Sequence, residues 1–293
     1  MAIDLQLVRR AGHAGHDLVG WLMWDPAAIA RFEALGVPSG VGWLVAWRVA
    51  SLGPVTPEVA AAATYSIEPG VIETVMGLYR GVTDETAILA ARNASVVPGL
   101  ADVAPGLVDD ILMFADDLWR GVDSVHGGAR PMFAAARDAD RSDDPALSVW
   151  LAANCLRELR GDNHWVLCAA DDLDGVEVGL LHSVMLDDAE YGSTEWIPRS
   201  RGFDDTAIAA GWSRLADKGL AENGRVNAAG VAFRHDLEKR TDRLTAAAWD
   251  AVGQSRTQLM CDIVGRYYPL FLARINATAG QRWMPAMRST DRI

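Results

Sequence analysis

Residues Arg201 to Leu244 read RGFDDTAIAAGWSRLADKGLAENGRVNAAGVAFRHDLEKRTDRL. Asp204 or Asp205 can cap a helix, because a carboxylate accepts the orphan N–H groups of a first turn. Ile208, Trp212 and Leu215 then recur at i, i+4 and i+7 and mark its buried face. Gly219 ends it, and Glu222-Asn223-Gly224 is a tight turn between two short extended arms. Asn227 caps the next helix, in which Val231, Leu237 and Leu244 are expected to face inward. The order helix, small hairpin, helix is that of half a winged-helix unit.

Working outward, the pattern stays helical almost everywhere. Residues 5–24 read as a helix with Leu7, Ala11, Ala14, Val19 and Leu22 inward. Asp25-Pro26 opens the next, with Ile29, Phe32 and Leu35 as its face and Gly36 as its stop. GVGWLVAWRVASLG, the stretch from Thr56-Pro57-Glu58, and GVIETVMGLY after Glu68-Pro69 continue the series, as does LVDDILMFADDLWRGV. Pro269 is expected to kink or break the helix around Gln254 to Arg274. Alternating patterns are nearly missing, so the hairpin near residues 220–227 is the expected site of strands.

The polar segment Arg137 to Pro145 is the expected boundary, giving an N-terminal half at 1–140 and a C-terminal half at 145–293. At an offset of about 136 residues, Tyr65 to Ile72 matches Arg201 to Ile208 in pattern: an apolar residue, an acidic cap, then a helix. The upstream runs GVGWLVAW and GVEVGLLHSV also correspond, whereas the first copy runs into TDETAILAARNAS where the second has its wing. The expectation is an all-α, mainly helical fold of two pseudo-duplicated winged-helix-like halves, the first degenerate, with one small β-hairpin wing.

The chain has 293 residues, half of them hydrophobic, which suffices for a full core. Its net charge is −12, and arginine supplies nearly all the positive charge, the two lysines being Lys218 and Lys239. Such an acidic protein repels nucleic acid unless a local basic stripe outweighs the mean. Cys155, Cys168 and Cys261 are odd in number and lie among apolar residues, which suits reduced core thiols. Met1 to Gly15 lacks the apolar core of a signal peptide, and no apolar run approaches a membrane span. A cytoplasmic protein with no membrane partner is therefore expected.

LRELRGDNHW, residues 156–165, concentrates the most chemistry. Either Gly161 ends one helix and Asp162 caps the next, or the helix continues and sets Glu158 with Asp162 and Arg160 with His164 at i, i+4. Two readings follow. The run is a pocket floor, with Glu158 or His164 as acid or base and Arg160, Asp162 and Trp165 as ligand contacts. Or it is an ion-pair network that fixes the helices. His13 and His16, at i, i+3, could present two imidazoles to one ion, completed by His164 or Glu158. No spacing ties these residues together, so no metal site is assigned, and no cofactor is named. Trp21 and Trp24 (i, i+3) and Trp43 and Trp47 (i, i+4) either pack the core or wall a cavity for a flat organic molecule. His126-Gly127-Gly128 lacks a G-x-S-x-G nucleophile elsewhere, and Gly36 to Gly42 lacks the Lys-Ser/Thr of a phosphate loop.

The order LRELRGDNHW, DGVEVGLLHSV and RGFDD…GWSRLADKGL…GRVNAAGVAFRHDLEKRTDRL resembles a family of actinobacterial proteins described as helix-turn-helix or MarR-like. The resemblance covers most of the chain and is strongest over residues 147–250. Members show Leu-Arg-Glu-x-Arg-Gly-Asp-Gly-His; here Leu156 to His164 keeps all but the second Gly, replaced by Asn163. Members also carry a His in the first helix after a Glu-Pro pair. That position falls near Val19, with His13 and His16 upstream, so the chain departs there. The resemblance implies a fold and leaves activity open.

DNA binding is tested by charge. Residues 203–218 hold Asp204, Asp205 and Asp217 against Arg214 and Lys218, and the wing offers Arg225 alone. Poor affinity for DNA is expected. The favoured expectation is a binding protein or enzyme of specialised metabolism that takes a small apolar or aromatic molecule between its halves. The alternative is a MarR-like regulator that binds DNA as a dimer through residues 203–225. A homodimer is compatible with either.

Overall fold

The computed structural model describes residues 2–40, 42–139, 141–187 and 191–288. Among them the fold is mainly helical, with one two-stranded hairpin. The helices are α1 (Leu5–Gly20), α2 (Pro26–Glu33), α3 (Trp43–Ala50), α4 (Pro57–Thr64), α5 (Pro69–Arg80), α6 (Glu85–Val103), α7 (Leu107–Ile111), α8 (Ala115–Asp123), α9 (Pro131–Asp138) and α10 (Pro145–Ala170). They continue as α11 (Gly175–His182), α12 (Trp196–Ser200), α13 (Asp205–Asp217), α14 (Ala228–Val252) and α15 (Gln254–Thr278). The hairpin strands are β1 (Ala221–Glu222) and β2 (Arg225–Val226), paired antiparallel as Ala221↔Val226 and Glu222↔Arg225.

Local chemistry sets these boundaries. Aspartates 25, 84, 144, 174 and 204 each accept a first-turn N–H at a helix start, and Asn227 does so for α14. Asp174 and Glu177 form a reciprocal capping box. Asn223 and Gly224 both have positive φ, the conformation a two-residue hairpin turn requires.

One apolar core runs from Ile3 to Met287, because α1 packs against α10, α14 and α15. The polar segment at 137–145 separates α9 from α10, and the core continues across it. A second cluster, including Leu173, Val176, Leu180, Ile208, Leu215 and Leu237, lies between α11, α13 and α14. The three cysteines are buried and free.

Several expectations change. Leu244 is 39% exposed, not inward; the buried stripe of α14 is instead largely polar, formed by Arg234, Glu238, Thr241, Asp242 and Thr245. α15 runs through Pro269 without ending, and the first helix gives way at Gly20 to a 3-10 turn over Trp21–Trp24. LVDDILMFADDLWRGV divides into α7, a 3-10 turn and α8. α10 does not break at Gly161: it is a single helix of 26 residues, so Glu158, Asp162 and Trp165 stand on successive turns.

Two acidic caps stand at the spacing noted in the sequence. Glu68 caps α5 through the Val71 N–H and Asp204 caps α13 through the Ala207 N–H, 136 positions apart. After α5 the chain enters α6, where after α13 it forms the hairpin. The two cap loops touch. The Glu68 N–H donates to the Arg201 carbonyl at 3.0 Å. Gly202, at φ +96°, permits this approach, since a Cβ there would lie 2.4 Å from Val71 Cγ2.

Candidate ligand-binding cavity

α10 supplies the floor. Glu158 is 3% exposed and receives both Arg48 Nε (3.0 Å) and Nη2 (2.9 Å), while Arg157 Nη1 donates at 2.6 Å. Burial alone would raise its pKa, but the two arginines outweigh that and hold it at about 2. Arg160 reaches α14, bonding Asp242 Oδ1 at 2.7 Å and the Glu238 carboxylate. Arg9 also grips Asp242, at 2.8 Å, and Arg234 pairs with Glu238 at 2.6 Å.

Two histidines face this network in opposite tautomers. Thr241 donates its only hydroxyl proton to the Leu237 carbonyl (2.8 Å), so its contact with His164 Nδ1 at 3.1 Å requires Nδ1–H. His182 Nδ1 instead accepts from Arg234 Nη2 at 3.1 Å, which leaves the proton on Nε2. Burial, and then the charge of Arg234, lowers both imidazoles to about 3, so both are neutral near pH 7. His182 Nε2, Arg234 Nε and Nη1, and Arg157 Nε are buried donors that reach no acceptor among the described residues. Arg201 donates to Ser66 Oγ and has no carboxylate partner among the described residues. Burial and Arg48 lower its pKa to about 10, so it stays charged.

These groups line a polar chamber of about 230 Å³ that shares part of its wall with an apolar one of about 620 Å³. His16, Arg48, Arg157, Arg201 and Ala286 border both. Trp24, Trp43, Ile67 and Trp283 wall the larger chamber, with Trp24 and Trp283 in contact at 4.5 Å between ring centroids. Five arginines and two glutamates line the smaller one.

The residues singled out in the sequence divide. Glu158, Arg160, His164 and Trp165 line the polar chamber, and Trp165 stacks on Tyr65 at 5.4 Å. Trp24 and Trp43 line the apolar one. Asp162, Trp21 and Trp47 line neither. Asp162 is buried and accepts the Phe133 N–H at 2.8 Å, tying α10 to the start of α9; burial raises its pKa to about 7. Trp21 donates to the Leu18 carbonyl and stacks near Phe271 at 6.4 Å. Trp47 lies in the core beside Trp150, with the Arg92 guanidinium 5.6 Å from its ring. His13 and His16 reach the polar chamber, yet among the described residues no three His, Cys, Asp or Glu side chains are grouped to hold a metal. Sequence reading missed Arg48, His182, Arg201, Arg234, Glu238 and Trp283. The available signal was the period of α14, where Arg234, Glu238, Thr241, Asp242 and Thr245 follow helical spacing in polar residues.

α11, α12, α13 and the hairpin are arranged as a helical unit followed by a β-turn, and a family model described as a helix-turn-helix family matches residues 8–275. The chain belongs to the helix-turn-helix family. No curated protein and no solved structure matches it. In this helix-turn-helix protein three bases around α13 are paired with carboxylates. Arg214 pairs with Asp174, Lys218 with Glu177 at 2.7 Å, and Arg199 with Glu195 at 2.6 Å and Asp205 at 2.5 Å. Among the described residues no helix is long and apolar enough to cross a membrane.

Proposed function

We propose that this helix-turn-helix protein is a cytoplasmic receptor for a small apolar or aromatic molecule, built on two pseudo-duplicated winged-helix-like units. The supporting observation is the 620 Å³ chamber walled by three tryptophans and joined to a charged end, since ligand sites combine an apolar wall with a few fixed polar groups. Glu158 and His164 serve this reading as positioning groups. Two arginines keep the Glu158 carboxylate ionised, and burial keeps the His164 imidazole neutral. The test is fluorescence titration with the neutral probe N-phenyl-1-naphthylamine, with thermal melting alongside. One saturable site per chain and a raised Tm are expected. Ala286→Trp, which adds bulk to the wall shared by the chambers, should abolish binding while the protein still melts cooperatively. Failure of every apolar probe, neutral or charged, to saturate would remove this reading.

A second reading, a MarR-like regulator that binds DNA as a dimer through residues 203–225, draws support from the family itself. The pairing of Arg214, Lys218 and Arg199 with carboxylates weighs against it, because phosphate contacts need free cations. Tight, salt-sensitive binding to duplex from its own promoter region would promote this alternative.

A further inference from the structure

We propose that the polar chamber is an oxyanion site, so that the ligand is an acid: an aromatic or branched apolar body bearing one compact anionic group. This rests on the reading of the cavity as a ligand site. Each lining glutamate is already held by two arginines, Glu158 by Arg48 and Arg157, and Glu238 by Arg160 and Arg234. The carboxylates therefore have little left to offer a ligand. The donors do. Arg234 is 2% exposed, and its Nε and Nη1 reach no acceptor among the described residues; the same holds for Arg157 Nε and for His182 Nε2, whose proton is fixed there by the Arg234 contact at Nδ1. Arg201, on the wall shared by the two chambers, carries a charge that among the described residues only a serine hydroxyl meets. Solvent could accept the hydrogen bonds, but it would not answer that charge.

Geometry sets the order of the ligand. Arg48, Arg157 and Arg201 border both chambers, the tryptophans line the apolar one, and Arg234 and His182 line the polar one. An acid enters head first, its body remaining against Trp24, Trp43 and Trp283. A cation would meet five arginines, and a neutral molecule would leave Arg201 unanswered. Carboxylate and phosphoryl heads share the required chemistry.

The test compares two probes that share an arylaminonaphthalene body, the anion 8-anilinonaphthalene-1-sulfonate and the neutral N-phenyl-1-naphthylamine, on the full chain. The anion should bind ~10- to 100-fold more tightly, the range expected for charged hydrogen bonds. Arg201→Met should erase that preference, and Arg201→Lys should restore part of it. His182→Leu gives an independent reading should Arg201→Met fail to fold, and should weaken the anion alone. Benzoate that displaces the anionic probe more effectively than inorganic phosphate assigns a carboxylate head, and the reverse assigns a phosphoryl head. Equal affinity for the two probes, an anion affinity untouched by either variant, or displacement by neither competitor overturns the oxyanion site while the neutral probe still reports the cavity. Failure of both probes to bind would instead remove the cavity reading beneath it.

Discussion

Arginine is used in two opposite ways in this molecule. Around α13, Arg214, Lys218 and Arg199 each meet a carboxylate, and the surface they form also carries Asp217 and Glu222. In the polar chamber four of the five lining arginines pair with Glu158 or Glu238, Arg201 meets no carboxylate, and buried N–H groups are left over among the described residues. The first setting ties three bases to carboxylates and leaves exposed Arg225 of the hairpin without an ion pair among the described residues. The second concentrates positive charge in a half-open chamber, within a chain whose net charge is −12. Local charge thus separates the two functional readings where helix topology does not, since a fold hosts many functions and a site hosts few.

The largest test of the contrast is Glu158→Ala. It strips Arg48 and Arg157 of their common partner inside the protein, and breaking a buried pair in this way costs about 3–5 kcal/mol. Denaturant unfolding should show the loss with an unchanged slope, and Glu158→Gln should lose less, because its carbonyl still accepts one bond. A loss below about 1 kcal/mol for Glu158→Ala would mean that the buried network behaves like a surface one.

Asp162 sharpens the contrast from the other side, as a buried carboxylate bonded to a backbone N–H and to no arginine. Its pKa is raised by burial from 3.8 to about 7. Between those values the folded state holds a proton that the unfolded chain has lost. Stability contributed by Asp162 is therefore full below pH 4 and falls as pH rises to about 7, by on the order of 2–4 kcal/mol. His164 and His182 act oppositely, since the unfolded chain binds protons below about 6.5 and the folded imidazoles do not. The difference between wild type and Asp162→Asn isolates the carboxyl. Asn keeps an acceptor for Phe133 and cannot ionise, so its advantage over wild type should grow between pH 4 and 7. Parallel stability profiles would refute the raised pKa.

The same residues explain what the sequence disclosed. Helix caps, the hairpin and most apolar faces were legible, because each rests on chemistry within a few residues, as at Asp204 and Asn223-Gly224. Of the two readings of Leu156 to Trp165, the ion pairs are seen at Glu158, while Glu158, Arg160, His164 and Trp165 line a cavity whose use by a ligand is the proposal made above. What stayed hidden depends on distance in the chain. Arg48 and Glu158 are 110 positions apart, and Arg160 and Asp242 are 82 apart, with no local pattern to join them. α14 hid its inward face because that face is polar, so a search for apolar periodicity pointed to Leu244, which is exposed. Asp162 looked like a cavity residue beside Glu158, but two helical turns are not needed to change its neighbours: four positions bring it under α9 instead.

A smaller effect tests the hairpin next to α13. Gly224 has φ +68° in the turn between β1 and β2. Gly224→Ala should cost roughly 1 kcal/mol, from side-chain strain in the left-handed region, and should leave cavity binding unchanged. Loss of probe binding in this variant would show that the hairpin and the cavity are coupled, and would undo their separation into two settings.

The smallest expected effect is the most direct probe of the α13 surface. The Arg214–Asp174 pair is solvent-accessible on both sides, so Arg214→Gln should change stability by less than about 1 kcal/mol. It should also leave duplex binding as negligible as in wild type at about 0.15 M salt, because a cation already paired releases no counterion from DNA. Asp205→Lys with Asp217→Lys supplies the converse. Two reversed charges on exposed positions of α13 should create weak, salt-sensitive, sequence-independent binding without altering the melting curve by more than a few degrees. Fluorescence anisotropy on a labelled random duplex measures both. If wild type binds tightly and Arg214→Gln weakens it while lowering the salt slope by about one, the Asp174 contact is broken in the complex and the surface is a DNA reader after all.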